Sequence, residues 1–113
     1  MPNLCWITEK LAVCGQLEVA DLPALQAQGI GVILCNRPDG EARHQPPYAQ
    51  LQAAATAAGM ACHYLPISGF LPPEHVATTA QLIQTNPMKI LAFCASGGRS
   101  IALFNAARQH LAR

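Results

Sequence analysis

Apolar residues gather along the chain in short runs, separated by stretches in which they recur every three or four positions, and Gly or Pro marks most changes between the two. The short runs at residues 5–8 and 11–14 predict two strands. Residues 22–28 then predict a helix, with Asp21 as its N-cap and Gly29 as its stop. A buried strand follows over residues 31–36, and a polar loop over residues 37–43 leads to Pro47 at the first turn of a helix ending near Gly59. Residues 61–65 predict the next strand. Pro72 and Pro73 open a helix that runs to Asn86 and is closed by Pro87. The last strand is residues 90–93, and the last helix spans residues 99–111 with Ile101, Phe104, Ala107 and Leu111 on its apolar face.

Buried strands alternating with helices predict an α/β fold with a mostly parallel central sheet flanked by helices, built as one domain over residues 1–113. Ligands of such sheets bind at the carboxyl ends of the strands. Here those ends are residues 36–43, 66–70 and 94–100.

Composition narrows the function classes. With 51% hydrophobic and 12% charged residues, the chain has enough apolar surface for a core without disulfides or metal, and too few charges for a disordered segment. A net charge of +1 without a Lys/Arg cluster predicts neither nucleic acid nor membrane surface as a partner. Any anion must therefore be held locally, by backbone and one or two arginines. The five cysteines, Cys5, Cys14, Cys35, Cys62 and Cys94, form no Cys-x-x-Cys pair, so neither a zinc site nor a disulfide framework is expected, and no cofactor is called for. The first residues lack a basic segment followed by an apolar one, and the uncharged stretch 44–73 is broken by Gln, Pro, Gly and His, which predicts a cytoplasmic chain with reduced thiols.

The densest chemistry lies in Cys94-Ala95-Ser96-Gly97-Gly98-Arg99-Ser100, between an apolar strand and an amphipathic helix. A tight strand-to-helix turn points successive N–H groups inward, and the helix start adds positive potential, so Ala95, Ser96, Gly97, Gly98, Arg99 and Ser100 form a candidate cradle for a small oxyanion or phosphoester. The same field stabilises a Cys94 thiolate and makes it a nucleophile. Arg99 can fold back and grip oxygens in bidentate fashion, and the Ser100 hydroxyl stands ready to donate to the sulfur.

This Cys-x4-Arg-Ser loop, together with Asn36-Arg37-Pro38-Asp39-Gly40-Glu41 after an earlier strand and Gly15-Gln16 near the start, resembles the beta-lactamase-hydrolase-like phosphatase family, small bacterial relatives of the dual-specificity phosphatases. The resemblance runs over nearly the whole chain. It implies a protein-tyrosine-phosphatase-like fold, Cys94 as the nucleophile that becomes a phosphocysteine, and Arg99 as phosphate ligand. Two departures leave alternatives open. Ordinary cysteine phosphatases have Cys-x5-Arg, whereas four residues separate Cys94 from Arg99, and the shorter loop also resembles that of rhodanese-type sulfurtransferases, whose cysteine carries a persulfide. Phosphatases of this class also carry an Asp after the preceding strand to protonate the leaving group. Here that loop reads Pro66-Ile67-Ser68-Gly69-Phe70, which leaves Asp39 or Glu41 as the acid, or else a structural turn at Asp39. A non-catalytic anion-binding module that kept the loop and lost the acid is the third reading.

Other residues fit this frame less directly. Arg37 is either a second anion ligand at the cleft rim or a solvated loop arginine, and His44, His63 and His75 stand at unrelated spacings that suit structural or solvent-facing positions. Trp6 reads as strand packing, and Cys5, Cys14 and Cys62 as small buried hydrophobes. Because the family fold sets the strands ending at Cys35 and Cys94 side by side, it also suggests a disulfide switch between these two thiols, against a plain buried role for Cys35.

Overall fold

The computed structural model describes residues 2–113. Its strands are β1 (Cys5–Trp6), β2 (Leu11–Cys14), β3 (Ile30–Cys35), β4 (Ala61–Tyr64) and β5 (Lys89–Phe93). They form a sheet in the order β1-β2-β5-β3-β4, antiparallel between β1 and β2 and parallel elsewhere. Four helices flank it: α1 (Leu22–Ala27), α2 (Tyr48–Ala57), α3 (Pro73–Thr85) and α4 (Gly98–Leu111). No helix among the described residues is long and apolar enough to cross a membrane.

The pleat divides the core into two layers. Ala12, Cys14, Ile33, Cys35, Leu91 and Phe93 face Leu22 and Leu25 of α1 and Leu51 and Ala55 of α2. Leu11, Val13, Val32, Leu34, Ile90 and Ala92 face Leu103 and Phe104 of α4, with Val76, Leu82 and Ile83 of α3 packed against them. Strands covered on both sides read as unbroken apolar runs, as Leu11–Cys14 and Ile30–Cys35 do. Lys10, between β1 and β2, donates its ammonium to the carbonyls of Ile83 (2.6 Å) and Asn86, satisfying the C-terminal end of α3.

Several local expectations need correction. The buried face of α4 is Ser100, Leu103, Phe104 and Ala107, while Ile101 is 39% exposed. Phe104 and Ala107 lie on the buried face as expected, whereas at its start the small polar Ser100 takes the buried place expected of Ile101. Asp21 makes no side-chain cap on α1; its carboxylate accepts from the Glu18 N–H at 2.8 Å and closes a 3₁₀ turn, Val19–Asp21. Pro47 precedes the first residue of α2 as its N-cap. Cys5 is exposed and Cys62 only partly buried, because β1 and β4 are the sheet's edges. Trp6 is 40% exposed, with the Lys89 ammonium 5.3 Å from its ring centroid.

Candidate active site

The carboxyl ends of β2, β5, β3 and β4 converge on one rim, and hydrogen bonds continue the ladders past the strands. The Cys94 N–H reaches the Cys14 carbonyl (3.4 Å), the Asn36 N–H that of Phe93 (2.8 Å), and the Ile67 N–H that of Asn36 (3.0 Å). Four loops are thereby fixed around Cys94. Their fit is close: a Cβ on Gly15 would stand 2.9 Å from the Ala95 carbonyl oxygen, so only glycine lets the loop after β2 lie against the loop after β5. Gly97, the N-cap of α4, has φ of 99°, a left-handed conformation that turns the chain from strand into helix.

Cys94 is buried, and the Gly97 N–H points at its sulfur from 3.0 Å. Burial alone would push the thiol up. The N–H groups of Ser100, Ser96 and Gly97 and the Ser100 hydroxyl outweigh it, and Cys94 ends below its ordinary value. Cys14 and Cys35 lack such a cradle, and burial pushes both up to about 12. Among these three buried thiols, only Cys94 has its thiolate form favoured.

Asn36, absent from the candidate residues read off the sequence, is a fully buried organiser of the site. Its amide nitrogen donates to the Leu65 carbonyl at 2.9 Å, and its Oδ1 accepts the Ser100 hydroxyl at 2.8 Å. The Ser100 proton goes to Asn36 Oδ1 in the structure, and the same hydroxyl is close enough to the Cys94 sulfur to help lower that thiol, so one proton serves two neighbours. The available signal was an asparagine ending an apolar strand, a position where a buried amide must find partners.

Arg99 lies across the mouth of the loop. Its Nη1 donates to the Ile67 carbonyl at 2.9 Å, and its fork holds Glu41 through Nη1–Oε2 (2.6 Å) and Nη2–Oε1 (2.9 Å). Arg37 approaches the same carboxylate, Nε to Oε1 at 3.1 Å, while its Nη1 donates to Gln16 Oε1 at 3.0 Å. The Arg99 and Arg37 guanidinium groups hold Glu41 below the usual carboxylate range, and Glu41 in turn raises Arg99.

Asp39 sits apart from this cluster. Its carboxylate accepts the N–H of Tyr48, the first residue of α2, at 2.8 Å, and its own N–H donates to Tyr64 Oη at 3.0 Å. The Tyr48 and Tyr64 rings stack at 4.8 Å. Negative charge at a helix start is favourable, so this arrangement anchors the polar loop onto α2. The loop after β4 carries no carboxylate and projects Phe70, 78% exposed, at its tip.

The suggested pairing of Cys35 with Cys94 fails on geometry. Cys35 is the register partner of Phe93 and shares its face of the sheet, so Cys94, one residue on, is directed to the other. The Cys35 thiol instead donates to the Arg37 carbonyl at 3.3 Å. No group of three or more His, Cys, Asp or Glu side chains among the described residues is gathered to hold a metal ion.

Comparison with known proteins agrees with this architecture. Residues 3–112 match the model of the phosphatase-like domain of beta-lactamase hydrolase-like proteins. A beta-lactamase hydrolase-like protein of Agrobacterium fabrum is 36% identical over 99 residues, and one of Xylella fastidiosa is 33% identical over the same length. The match takes in 87% of this chain and 23% of each of these relatives, so the chain spans about a quarter of their length. Among solved structures, a candidate phosphatase from Neisseria meningitidis superposes with a TM-score of 0.76 at 35% identity, over 88% of this chain and 71% of that one. A kinase associated phosphatase with serine in place of its catalytic-site cysteine shares the fold at 18% identity and a TM-score of 0.77, over 97% and 74% of the two chains. The sheet is that of the protein-tyrosine-phosphatase-like proteins, and the chain belongs to the family of the phosphatase-like domain of beta-lactamase hydrolase-like proteins.

Proposed function

We propose that the protein is a cysteine-dependent phosphoester hydrolase. The observation that carries this reading is the Cys94 sulfur, held below its ordinary titration range by N–H groups at the start of α4 with Arg99 at the loop mouth. The N–H groups from Ala95 to Arg99 and the Arg99 guanidinium bind the phosphoryl oxygens. The Cys94 thiolate attacks phosphorus, a P–S bond forms, and the P–O bond to the leaving group breaks. Water then attacks the phosphocysteine, phosphate departs, and the sulfur leaves as a thiolate stabilised by the same donors, with Ser100 turning its proton toward it. Asp39 is committed to α2 and Glu41 to the arginines, so neither is assigned as the acid. The substrates that suit such a site carry a leaving group needing little protonation, such as an aryl phosphate.

That commitment of both carboxylates also favours a second reading, sulfur transfer. The Cys94 thiolate takes the outer sulfur of thiosulfate as a persulfide, sulfite leaves, and cyanide removes the sulfur as thiocyanate and regenerates the thiolate. No step needs a carboxylic acid. Parallel assays of 4-nitrophenyl phosphate and of thiosulfate with cyanide, with Cys94→Ser as control, separate the readings. Hydrolysis lost in the variant is the expected result. Thiocyanate production alone would replace it with sulfur transfer, and turnover of neither would leave an anion-binding module.

A further inference from the structure

Arg37 has no part in the chemistry above, yet it is placed with care. Its side chain is only 14% exposed and is held from two loops at once, by Gln16 after β2 and by Glu41 of its own loop. Glu41 Oε1 accepts from both Arg37 Nε (3.1 Å) and Arg99 Nη2 (2.9 Å), so the two guanidinium groups converge on one oxygen. Two cations share one carboxylate, leaving a local excess of positive charge on a chain whose net charge is only +1. Arg37 Nη2 has no protein acceptor among the described residues. The Glu41 side chain is 29% exposed, so its place between the arginines opens to solvent and an incoming anion can take it.

We propose that Arg37, with the outer edge of Arg99, forms a second anion subsite adjoining the Cys94 loop, and that the preferred ligand carries two neighbouring anionic groups, as a pyrophosphate does. One group lies in the cradle and the other takes the position that Glu41 holds in the free protein. Arg99 belongs to both places, since it lies at the mouth of the loop and also grips Glu41, so the two anionic groups must be close enough to share one guanidinium. The inference rests on loop 94–100 as the phosphoryl site.

The test uses the full chain carrying Cys94→Ser, titrated calorimetrically with inorganic phosphate and with pyrophosphate. Pyrophosphate is expected to bind about ten- to a hundredfold more tightly, since one or two charge-assisted hydrogen bonds are added. Adding Arg37→Gln should bring the ratio of the two affinities close to one. Adding Glu41→Gln, which removes the competing carboxylate, should tighten pyrophosphate binding several-fold. Phosphate binding without a preference for pyrophosphate overturns this subsite and leaves the phosphoryl site standing, as does a preference that persists in Arg37→Gln. Weaker or unchanged pyrophosphate binding in Glu41→Gln also overturns it, whatever the behaviour of the Arg37 variant. Failure of both anions to bind removes the subsite together with the reading of loop 94–100.

Discussion

Replacing Asn36 with alanine tests whether the amide organises the site or merely fills it. Asn36 is fully buried, and the change removes both its bond to the Leu65 carbonyl and its acceptance of the Ser100 hydroxyl. The Leu65 carbonyl loses its side-chain donor outright, at about 1–3 kcal/mol, and the emptied side-chain volume adds about 1 kcal/mol. Ser100 is not orphaned, because the Cys94 sulfur remains as its acceptor. Stability should therefore fall by about 2–4 kcal/mol, which urea unfolding with a slope of about 2 kcal/mol per molar reads as a midpoint lower by about 1–2 M. The thiol should respond the other way. With its proton no longer shared, Ser100 donates wholly to the thiolate, and a charge-assisted bond lowers the Cys94 midpoint by up to about one pH unit. Iodoacetamide alkylation rates against pH measure this in both proteins, starting from a wild-type midpoint already lowered by the loop donors. A stability loss under about 0.5 kcal/mol, or a midpoint that rises, would refute the shared-proton arrangement.

Four further outcomes follow from the geometry. Gly97→Ala places a side chain at a φ of 99° and should cost roughly 1–2 kcal/mol in denaturant unfolding while weakening phosphate binding, whereas the same change at Gly98 should cost far less. Phe104→Ala should lose about 3–5 kcal/mol and Ile101→Ala no more than about 0.5, a contrast in thermal unfolding that checks which face of α4 is buried. Asp39→Asn should slow aryl phosphates with good and poor leaving groups by the same factor; a general acid would instead show a penalty of about 10²- to 10⁴-fold concentrated on the poor ones. Because burial raises the Cys14 and Cys35 thiols to about 12, the stabilisation they confer is complete below their unfolded value and is lost as pH rises from there to about 12. Each thiol should add a slope of about 1.4 kcal/mol per pH unit in that window, absent from the corresponding Cys→Ala protein in urea titrations at stepped pH.

The elements whose apolar period is strong were legible in the sequence, and the places where legibility ended have physical causes. Residues 31–36 and 90–93 read as buried strands because they are short, apolar and bounded by turn residues, and the small residues around Cys94 announce a backbone-lined turn. Sequence periodicity carries no information about pairing. It could not show that Leu11–Cys14 lies inside the sheet beside β5, nor that Ala61–Tyr64 lies at its edge. The first buried position of α4 is Ser100 and not Ile101, and its hydrogen bond to Asn36 comes into view only when α4 lies beside the end of β3. Contacts beyond the local sequence also fix what the two carboxylates meet. Asp39 looked available beside the loop, but Tyr48, nine residues away, holds its carboxylate, and Glu41 was drawn across the cleft by Arg99, 58 residues along the chain.

The pairing of β2 with β5 also governs when Cys94 acquires its lowered titration range. These strands register Leu11 with Ile90 and Cys14 with Phe93, so closing the pair spans most of the chain and carries a large loop-closure entropy. The cradle needs more than the local turn: its N–H donors stiffen only once α4 has formed, and the loop is held against the sheet only once Gly15 can lie on Ala95. A growing chain therefore exposes Cys94 as an ordinary, sluggish thiol until residues 98–111 have emerged and β2 has docked. Fast alkylation at Cys94 is therefore expected only once this non-local pair has closed. The rate at which refolding molecules gain it then serves as a clock for closure of the β2–β5 pair.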